Sequence, residues 1–343
     1  MSGPKRLAIV GAGPAGLAAA WKLRNNSRIE KTIFEKSRGL AGRAASRSRH
    51  GVRLDPGANY IKTGSPLIED LMLRQLPTDD LVQIDGDIWV HNERGEIQPG
   101  DPEQNREPKW TYRTGISTIG KLLAAESNAN IIRETRIEEM SRSGSCWTLK
   151  DANGASHGPF DIVLLTPPGP QTVALLETCG SKLTEVMGQV EYHRQFCFAF
   201  GFEGVLERPG DFHALINLNA KHPIAWLSFE NDKPGHVPLG ITVVGAQMQP
   251  AWSLERFDDE VGALAEVALG HVVDMLGWND VEPLWFDSQR WKFAHPFTAA
   301  AAEQARAEES TGLFLAGDAF AGKGRVNLAL ESGIAAAERL AAH

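Results

Sequence analysis

The stretch LAIVGAGPAGLAAAWKL, residues 7–23, decides the fold of this chain of 343 residues. It consists of an apolar strand, the three glycines Gly11, Gly13 and Gly16, and an alanine-rich apolar helix. In a unit of this kind the first glycine permits a tight turn, the second lets the backbone approach a pyrophosphate, and the third lets the helix pack closely on the sheet. The helix start offers free N–H groups and a partial positive charge to phosphates. The stretch therefore predicts an α/β, Rossmann-type domain that binds a dinucleotide.

A second apolar strand ends in Phe34-Glu35-Lys36, with Glu35 placed 19 residues after Gly16. An acid at this distance accepts hydrogen bonds from the ribose hydroxyls of an adenosine. The same carboxylate repels a 2′-phosphate, so NADP is not expected at this site. The alternative is a glycine-rich turn that binds no ligand. Such a turn does not require an acid at the end of the second strand, so the position of Glu35 supports a dinucleotide site.

Composition narrows the class of protein. The formal net charge of −8, without a basic cluster that carries interleaved aromatic residues, argues against nucleic-acid binding. No apolar run reaches the roughly 18 residues of a membrane span, and no apolar leader precedes the first strand. Three cysteines without a CxxC pair suit a reducing compartment, so we expect a cytoplasmic protein. The histidines His193, His222 and His295 lack metal-ligand spacing, and no metal is expected.

The C-terminal region contains a second element made of a strand, a glycine-containing turn and a helix. A buried-type strand ends at Gly317-Asp318, and a final alanine-rich helix begins around Arg325 and Val326. Asp318 is placed to bind a polyol, and the helix start offers N–H groups to an anionic ring edge. The chain therefore leaves the nucleotide domain and returns to it. Between the two ends we predict several strands and one long helix over residues 254–276.

These motifs resemble the FAD-dependent amine-oxidase superfamily, which includes the monoamine and polyamine oxidases. The resemblance rests on GAGPAG, on FEK, on the segment from Arg38 to Arg43 that ends in AGR, and on Leu54-Asp-Pro-Gly-Ala58. Within the superfamily the chain is most similar to the renalase-like branch, through its short length, QRWKFAHP at residues 289–296 and LAGDAF at 315–320. The departure from the family's GGR falls at Ala41.

The resemblance implies FAD, held non-covalently and extended, and an amine-oxidase-like architecture of two domains. The Rossmann-type FAD-binding domain comprises residues 1–64, 128–168 and 285–343. An inserted α+β substrate domain, with a mixed or antiparallel sheet, comprises residues 65–127 and 169–284. The residues implied to hold FAD are Gly11, Gly13, Ala15, Gly16, Glu35, Lys36, Gly42, Arg43, Ala58, Asn59, Ile137, Gly317, Asp318, Arg325 and Val326.

Renalase-like enzymes take a hydride from isomeric dihydronicotinamide dinucleotides, restore NAD(P)⁺ and pass the electrons to O₂, which gives H₂O₂. Aromatisation drives this loss of hydride, so a flat pocket over the flavin is required rather than a general base. We name no catalytic residue and expect pocket residues among Tyr60, Trp110, Tyr112, Trp291 and Phe320. The first alternative is a flavin amine oxidase for a small amine, and the second is a non-catalytic flavin or NAD sensor. The oligomeric state is left open.

Overall fold

The computed structural model describes residues 3–278 and 280–343. Its strands in chain order are β1 (Lys5–Val10), β2 (Ile29–Phe34), β3 (Arg47–Arg49), β4 (Val52–Leu54), β5 (Leu81–Gln83), β6 (Asp87–His91), β7 (Ile97–Gln98), β8 (Trp110–Tyr112), β9 (Asn130–Ile132), β10 (Ile137–Ser143), β11 (Cys146–Asp151), β12 (Ser156–Phe160), β13 (Ile162–Leu165), β14 (Tyr192–Glu203), β15 (Phe212–Asn217), β16 (Ile224–Phe229), β17 (Ile241–Met248), β18 (Trp285–Pro296) and β19 (Leu313–Leu315). The α-helices are α1 (Pro14–Lys22), α2 (Pro66–Asp70), α3 (Pro102–Asn105), α4 (Thr118–Glu126), α5 (Gly169–Thr178), α6 (Leu183–Gly188), α7 (Pro250–Glu255), α8 (Val261–Leu276) and α9 (Val326–Ala342).

A parallel sheet of five strands, in the order β19-β13-β1-β2-β9, forms the first layer. Its central strands are short apolar runs buried on both faces, as parallel sheets require. On one face α1 and α9 enclose a core rich in alanine and leucine. The other face packs against α5 and the three-stranded sheet β10-β11-β12. This arrangement places the start of α1 at the carboxyl end of β1, while the Gly317 N–H, just after β19, donates to Ser332 Oγ in the middle of α9 at 2.9 Å.

The second large sheet has seven strands in the order β18-β14-β17-β16-β15-β6-β7. Its neighbours pair antiparallel except β15 and β6, which are parallel. The phenylalanines that alternate along β14 cover the back face, where α7 and α8 complete the core. The front face, which carries the intervening residues of each strand, lies towards the segment that follows β4.

The predicted fold class, a Rossmann-type α/β domain with a second domain built on a mixed sheet, is confirmed. The domain boundaries stay a prediction, and hydrogen bonding places β18 in the seven-stranded sheet rather than in the parallel one. The single helix predicted over residues 254–276 is wrong. The chain turns after α7, and Glu260 starts α8 anew because its side chain accepts a hydrogen bond from the Ala263 N–H at 2.8 Å.

Within residues 3–278 and 280–343, every helix falls short of the length and apolar character that crossing a bilayer requires.

Candidate functional site: a cofactor cleft between two helix starts

The turn after β1 has the geometry that a phosphate needs. Gly11 has φ +101°, and a Cβ on Gly16 would overlap the Gly11 carbonyl oxygen. A Cβ on Gly13 would meet nothing within 4 Å, so the space beside Gly13 is open. No side chain caps α1, which begins at Pro14. The first-turn N–H groups of Ala15 and Gly16 are therefore available to an anion at this point.

A second turn packs directly over the first. The Ala41 N–H donates to the Ala12 carbonyl at 2.9 Å, and a Cβ on Gly42 would lie 3.4 Å from the Gly13 Cα. Ala41 and Gly42 have φ of +75° and +55°. The position where the resembling family carries glycine thus demands the left-handed region, which costs alanine about 1 kcal/mol or more.

Arg43 leaves this turn and reaches the C-terminal motif. Its guanidinium pairs with Asp318 at 2.8 Å and donates to the Ala294 carbonyl at 3.1 Å. The Tyr192 hydroxyl donates to Asp318 at 3.2 Å, and burial together with the Asp318 charge raises the pKa of Tyr192. Two predicted cofactor residues, Arg43 and Asp318, therefore meet although they lie 275 positions apart.

Glu35 lies at the end of β2 and is buried. One carboxylate oxygen accepts the Ala12 N–H at 2.8 Å and the other accepts the Ser37 N–H at 2.8 Å. An ionised carboxylate has about four lone-pair sites, so both oxygens retain capacity for a ribose diol. Lys36 points elsewhere, to the Gln171 side chain at 3.3 Å. Ile137 is buried in the core beneath the sheet.

The turn before α9 packs against β18, and α9 itself packs against α1. Gly317 has φ +137°, and no side chain caps the helix after Arg325. A Cβ on Gly324 would overlap the Cβ of His295, so β18 lies against this turn. Further along α9, a Cβ on Gly333 would overlap the Ala15 carbonyl oxygen, which brings α9 into direct contact with the first turn of α1.

The segment of residues 55–59 crosses from this cleft to the front face of the large sheet. The Ala58 N–H donates to the Arg43 carbonyl at 3.1 Å. From the sheet, the Gln247 side chain donates to the Gly57 carbonyl at 2.7 Å, and the Trp291 indole donates to the Pro56 carbonyl at 2.9 Å. Trp291 therefore lies on the front face of the seven-stranded sheet and holds residues 55–59 against it.

The remaining pocket candidates occupy different surroundings. Tyr60 is half-buried, with its ring centroid 5.8 Å from that of Trp226 on β16. Trp110 pairs with Ile61 through two backbone hydrogen bonds of 2.8 Å and is also half-buried. Tyr112 is 0 % exposed and belongs to the core, so it offers no surface to a ligand in this conformation. Phe320 is half-buried and packs against the second core.

Two features of the cleft escaped sequence reasoning. Trp226 closes on Tyr60, and its indole Nε1 is buried without a hydrogen-bond partner among the described residues. His193 and His295 form a cross-strand pair with ring centroids 4.9 Å apart. Burial and the neighbouring His193 lower the pKa of His295 to about 4. Only the register of β14 against β18 reveals the pair, because the two residues lie far apart in sequence.

Two uncapped helix starts, an open glycine turn and a buried acid thus belong to one side of the molecule, where α9 contacts the first turn of α1 and Arg43 contacts Asp318. These donors and acceptors fit a dinucleotide: N–H groups at α1 for the pyrophosphate, Glu35 for a ribose, Asp318 for a polyol and the start of α9 for an anionic ring edge. The role of each single residue stays a prediction.

Two family models match successive parts of the chain. Residues 9–76 match the model of the NAD(P)-binding Rossmann-like domain, and residues 100–341 match that of the flavin containing amine oxidoreductases. Protoporphyrinogen oxidase 2 of Arabidopsis thaliana is 40% identical over 75 residues, which are 21% of this chain and 15% of that protein. The chain thus matches only a small part of the length of this relative.

Solved structures are similar over nearly the whole chain. A putative protoporphyrinogen oxidase from Exiguobacterium sp. 255-15 superposes with a TM-score of 0.81 and 17% identity, covering 98% of this chain and 99% of the other. A putrescine oxidase variant gives a TM-score of 0.75 at 12% identity, covering 99% of each chain. At these identities the likeness shows the fold.

Proposed function

The chain belongs to the flavin containing amine oxidoreductase family, a family of FAD-dependent oxidoreductases, and on this premise we propose that it is a renalase-like oxidase of isomeric dihydronicotinamide dinucleotides. When bound, FAD would supply the acceptor for a hydride from such a ring and the donor of the electron pair to O₂. The overall balance is dihydronicotinamide plus O₂ plus one proton, giving NAD(P)⁺ plus H₂O₂. The protein then has to stack a flat ring and hold its phosphates.

The observation that carries the proposal is the aromatic pair at the front of the sheet. Tyr60 and Trp226 are tilted by 41° at a centroid distance of 5.8 Å, and Val90 and Ile216 beside them are partly exposed. Together they supply an apolar surface with aromatic faces, against which a dihydropyridine ring can stack with water excluded.

The charge beside this pair favours an anionic substrate. Burial raises the pKa of Tyr60, the guanidinium of Arg325 lowers it, and the Glu107 carboxylate raises it, so both charges lie within electrostatic reach of the pocket. Glu107 is neutralised by the Lys62 ammonium at 3.2 Å, which leaves Arg325 as the charge that a substrate meets. Arg325 is exposed at the start of α9, where the helix dipole also favours negative charge. The positive potential at this point attracts the pyrophosphate of a dinucleotide and repels a protonated amine.

The same aromatic pair supports the alternative, an amine oxidase for a small amine. Two aromatic faces attract a cation, with a contribution of about 0.5–2 kcal/mol. The two candidates therefore differ in the sign of the substrate charge, and Arg325 is the residue that separates them. A flavin-binding sensor without catalysis is the third candidate.

The decisive experiment is anaerobic mixing of the FAD-loaded protein with isomeric dihydronicotinamide dinucleotides, ordinary NADH, putrescine and other amines, and protoporphyrinogen. We expect the flavin absorbance to bleach fastest with a non-standard dihydronicotinamide isomer. If no isomer bleaches it faster than NADH does, the renalase-like proposal is wrong. Bleaching by an amine supports the alternative, bleaching by protoporphyrinogen supports the activity named in two relatives, and no bleaching by any compound supports the sensor.

The charge argument has its own test, Arg325→Met, with Lys323→Met as the matched control. Lys323 is also exposed and lies two residues earlier in the same loop. Arg325→Met should raise KM for the dinucleotide several-fold, and Lys323→Met should leave it unchanged. An equal rise in both variants, or a fall in KM for the dinucleotide in Arg325→Met, contradicts the assigned role.

A further inference from the structure

A cluster of buried charges lies under residues 55–59, outside the groups discussed so far. It consists of Asp55, Glu230, Lys233 and His236, whose side chains are 0%, 3%, 0% and 0% exposed. Asp55 follows β4, whereas the other three lie between β16 and β17. The cluster therefore joins the segment beside the cofactor cleft to the seven-stranded sheet.

Lys233 is the centre of this cluster. Its ammonium nitrogen lies 3.0 Å from Glu230 Oε1, 3.4 Å from Asp55 Oδ2 and 3.4 Å from Asn59 Oδ1. The ammonium thus donates hydrogen bonds to Asp55 and Asn59 and forms an ion pair with Glu230. Burial by itself lowers the pKa of Lys233, but the carboxylates of Glu230 and Asp55 outweigh burial and raise it, so the lysine remains charged.

The other members are held from several directions. Asp55 Oδ1 accepts hydrogen bonds from Ser46 Oγ at 2.7 Å and from the Ile116 N–H at 3.2 Å. His236 Nε2 lies 3.0 Å from the Tyr112 carbonyl oxygen, and its Nδ1 lies 3.4 Å from Glu230 Oε2. This network of contacts restricts the movement of residues 55–59.

Asp55, Glu230 and His236 also bring their ligand atoms within 4.8 Å of one another, a spacing that suits a metal ion. The ammonium of Lys233 already contacts both carboxylates and supplies the compensating positive charge. A divalent cation would have to displace this buried ammonium, which would then lack a partner at a cost of several kcal/mol. The geometry therefore favours lysine over metal as the cation of the cluster.

We propose that Lys233 is a positioning residue: by binding Asp55 and Asn59, the two ends of residues 55–59, it holds this segment in the shape that receives FAD. The segment contains Ala58 and Asn59, which the family resemblance places beside the flavin. The proposal rests on FAD as the cofactor and is independent of the substrate.

The test compares Lys233→Met, the double variant Lys233→Met with Glu230→Gln, and a control, Lys31→Met. Lys31 is also buried, but it donates to the Leu23 carbonyl at 3.2 Å, in the parallel sheet. The measurements are the affinity of the apoprotein for FAD, its urea unfolding, and amide hydrogen exchange across residues 55–60. Lys233→Met should weaken FAD binding at least tenfold and speed exchange in the segment, while Lys31→Met leaves both unchanged.

The double variant separates positioning from charge compensation, because it removes one negative charge together with the positive one. We expect it to regain most of the stability lost in Lys233→Met, yet to keep the weak FAD binding and fast exchange. Full recovery of FAD affinity and slow exchange would show that Lys233 only compensates charge, which overturns the proposal. Stabilisation of the wild-type apoprotein by Mg²⁺ or Zn²⁺, abolished by Glu230→Gln, would assign the cluster to a metal and overturn it as well. None of these measurements depends on which substrate reduces the flavin. The positioning role of Lys233 and the renalase-like activity can therefore be refuted independently.

Discussion

The contact between α9 and α1 gives the sharpest quantitative prediction. In Gly333→Ala the new Cβ would overlap the carbonyl oxygen of Ala15 and lie 2.8 Å from its carbonyl carbon and 2.9 Å from its Cα. All three atoms are backbone, so no side-chain rotation relieves the contact. Because carbon atoms pack at roughly 3.5 Å, the helices must separate by at least about 0.7 Å.

The energy of this change has two opposing parts. Overpacking of a core costs about 1–3 kcal/mol, while alanine in a helix interior gains about 0.5–1 kcal/mol over glycine. The net expectation for Gly333→Ala is a loss of up to about 2.5 kcal/mol, and a stability about 1–3 kcal/mol below that of an unhindered glycine-to-alanine change. The matched control is Gly270→Ala in α8, where a Cβ meets nothing within 4 Å. This variant should retain only the propensity gain and be more stable than the wild type.

Urea unfolding of the apoproteins measures the stability, and fluorescence titration measures FAD binding. Ala15 lies in the first turn of α1, whose N–H groups are expected to bind the pyrophosphate. Displacement of α9 should therefore also weaken FAD binding, and each loss of about 1.4 kcal/mol in binding free energy lowers the affinity about tenfold. Gly270→Ala should bind FAD as the wild type does. If Gly333→Ala is as stable as Gly270→Ala and binds FAD equally well, the packing of α9 on the phosphate turn is not as described.

Other predictions concern pH, the ribityl site and the glycine turn. Burial and the nearby His222 lower the pKa of His91 from 6.5 to about 4, so the unfolded chain takes up this proton first and stability falls as the pH drops from 6.5 to 4. The loss from His91 approaches about 3.5 kcal/mol at about 1.4 kcal/mol per pKa unit. His91→Phe should therefore make the urea-midpoint profile less steep over this range, with the remaining slope due to other buried histidines such as His295; an unchanged slope contradicts the assignment. Asp318→Ala should lose FAD on gel filtration, and undiminished flavin absorbance of the protein peak would contradict a role of Asp318 in binding FAD. Gly13→Ala should fold normally and bind FAD weakly because its Cβ enters open space, whereas Gly16→Ala should lose stability because its Cβ overlaps backbone; equal unfolding midpoints would refute this difference.

Local patterns in the chain were enough to predict the parts of the fold that local physics controls. The strand, glycine turn and helix of residues 7–23 follow from apolar periodicity and from backbone positions that only glycine tolerates. Periodicity failed over residues 254–276, because apolar residues continue at helical spacing across a turn that the Glu260 cap creates.

The assignment of β18 shows a second limit. Residues 285–296 are recognisable as a strand, but their partner is chosen by contacts with β14, about a hundred residues earlier. Tyr112 shows a third limit. Its place before a helix suggested a pocket wall, whereas packing made it part of the core. Trp226 and Lys233 stand in stretches without a motif, and only folding brings them to Tyr60 and Asn59.

The sequence by itself determined the Rossmann-type unit, the acid at the end of β2 and the ligand class, because each depends on spacings within about thirty residues. Tertiary structure alone decided that Arg43 meets Asp318, that α9 rests on the first turn of α1, and that Lys233 lies between Asp55 and Asn59. The physical reason is distance along the chain. These contacts join residues separated by about 170 to about 320 positions, and chain closure over such lengths is governed by the packing of whole layers rather than by local preference.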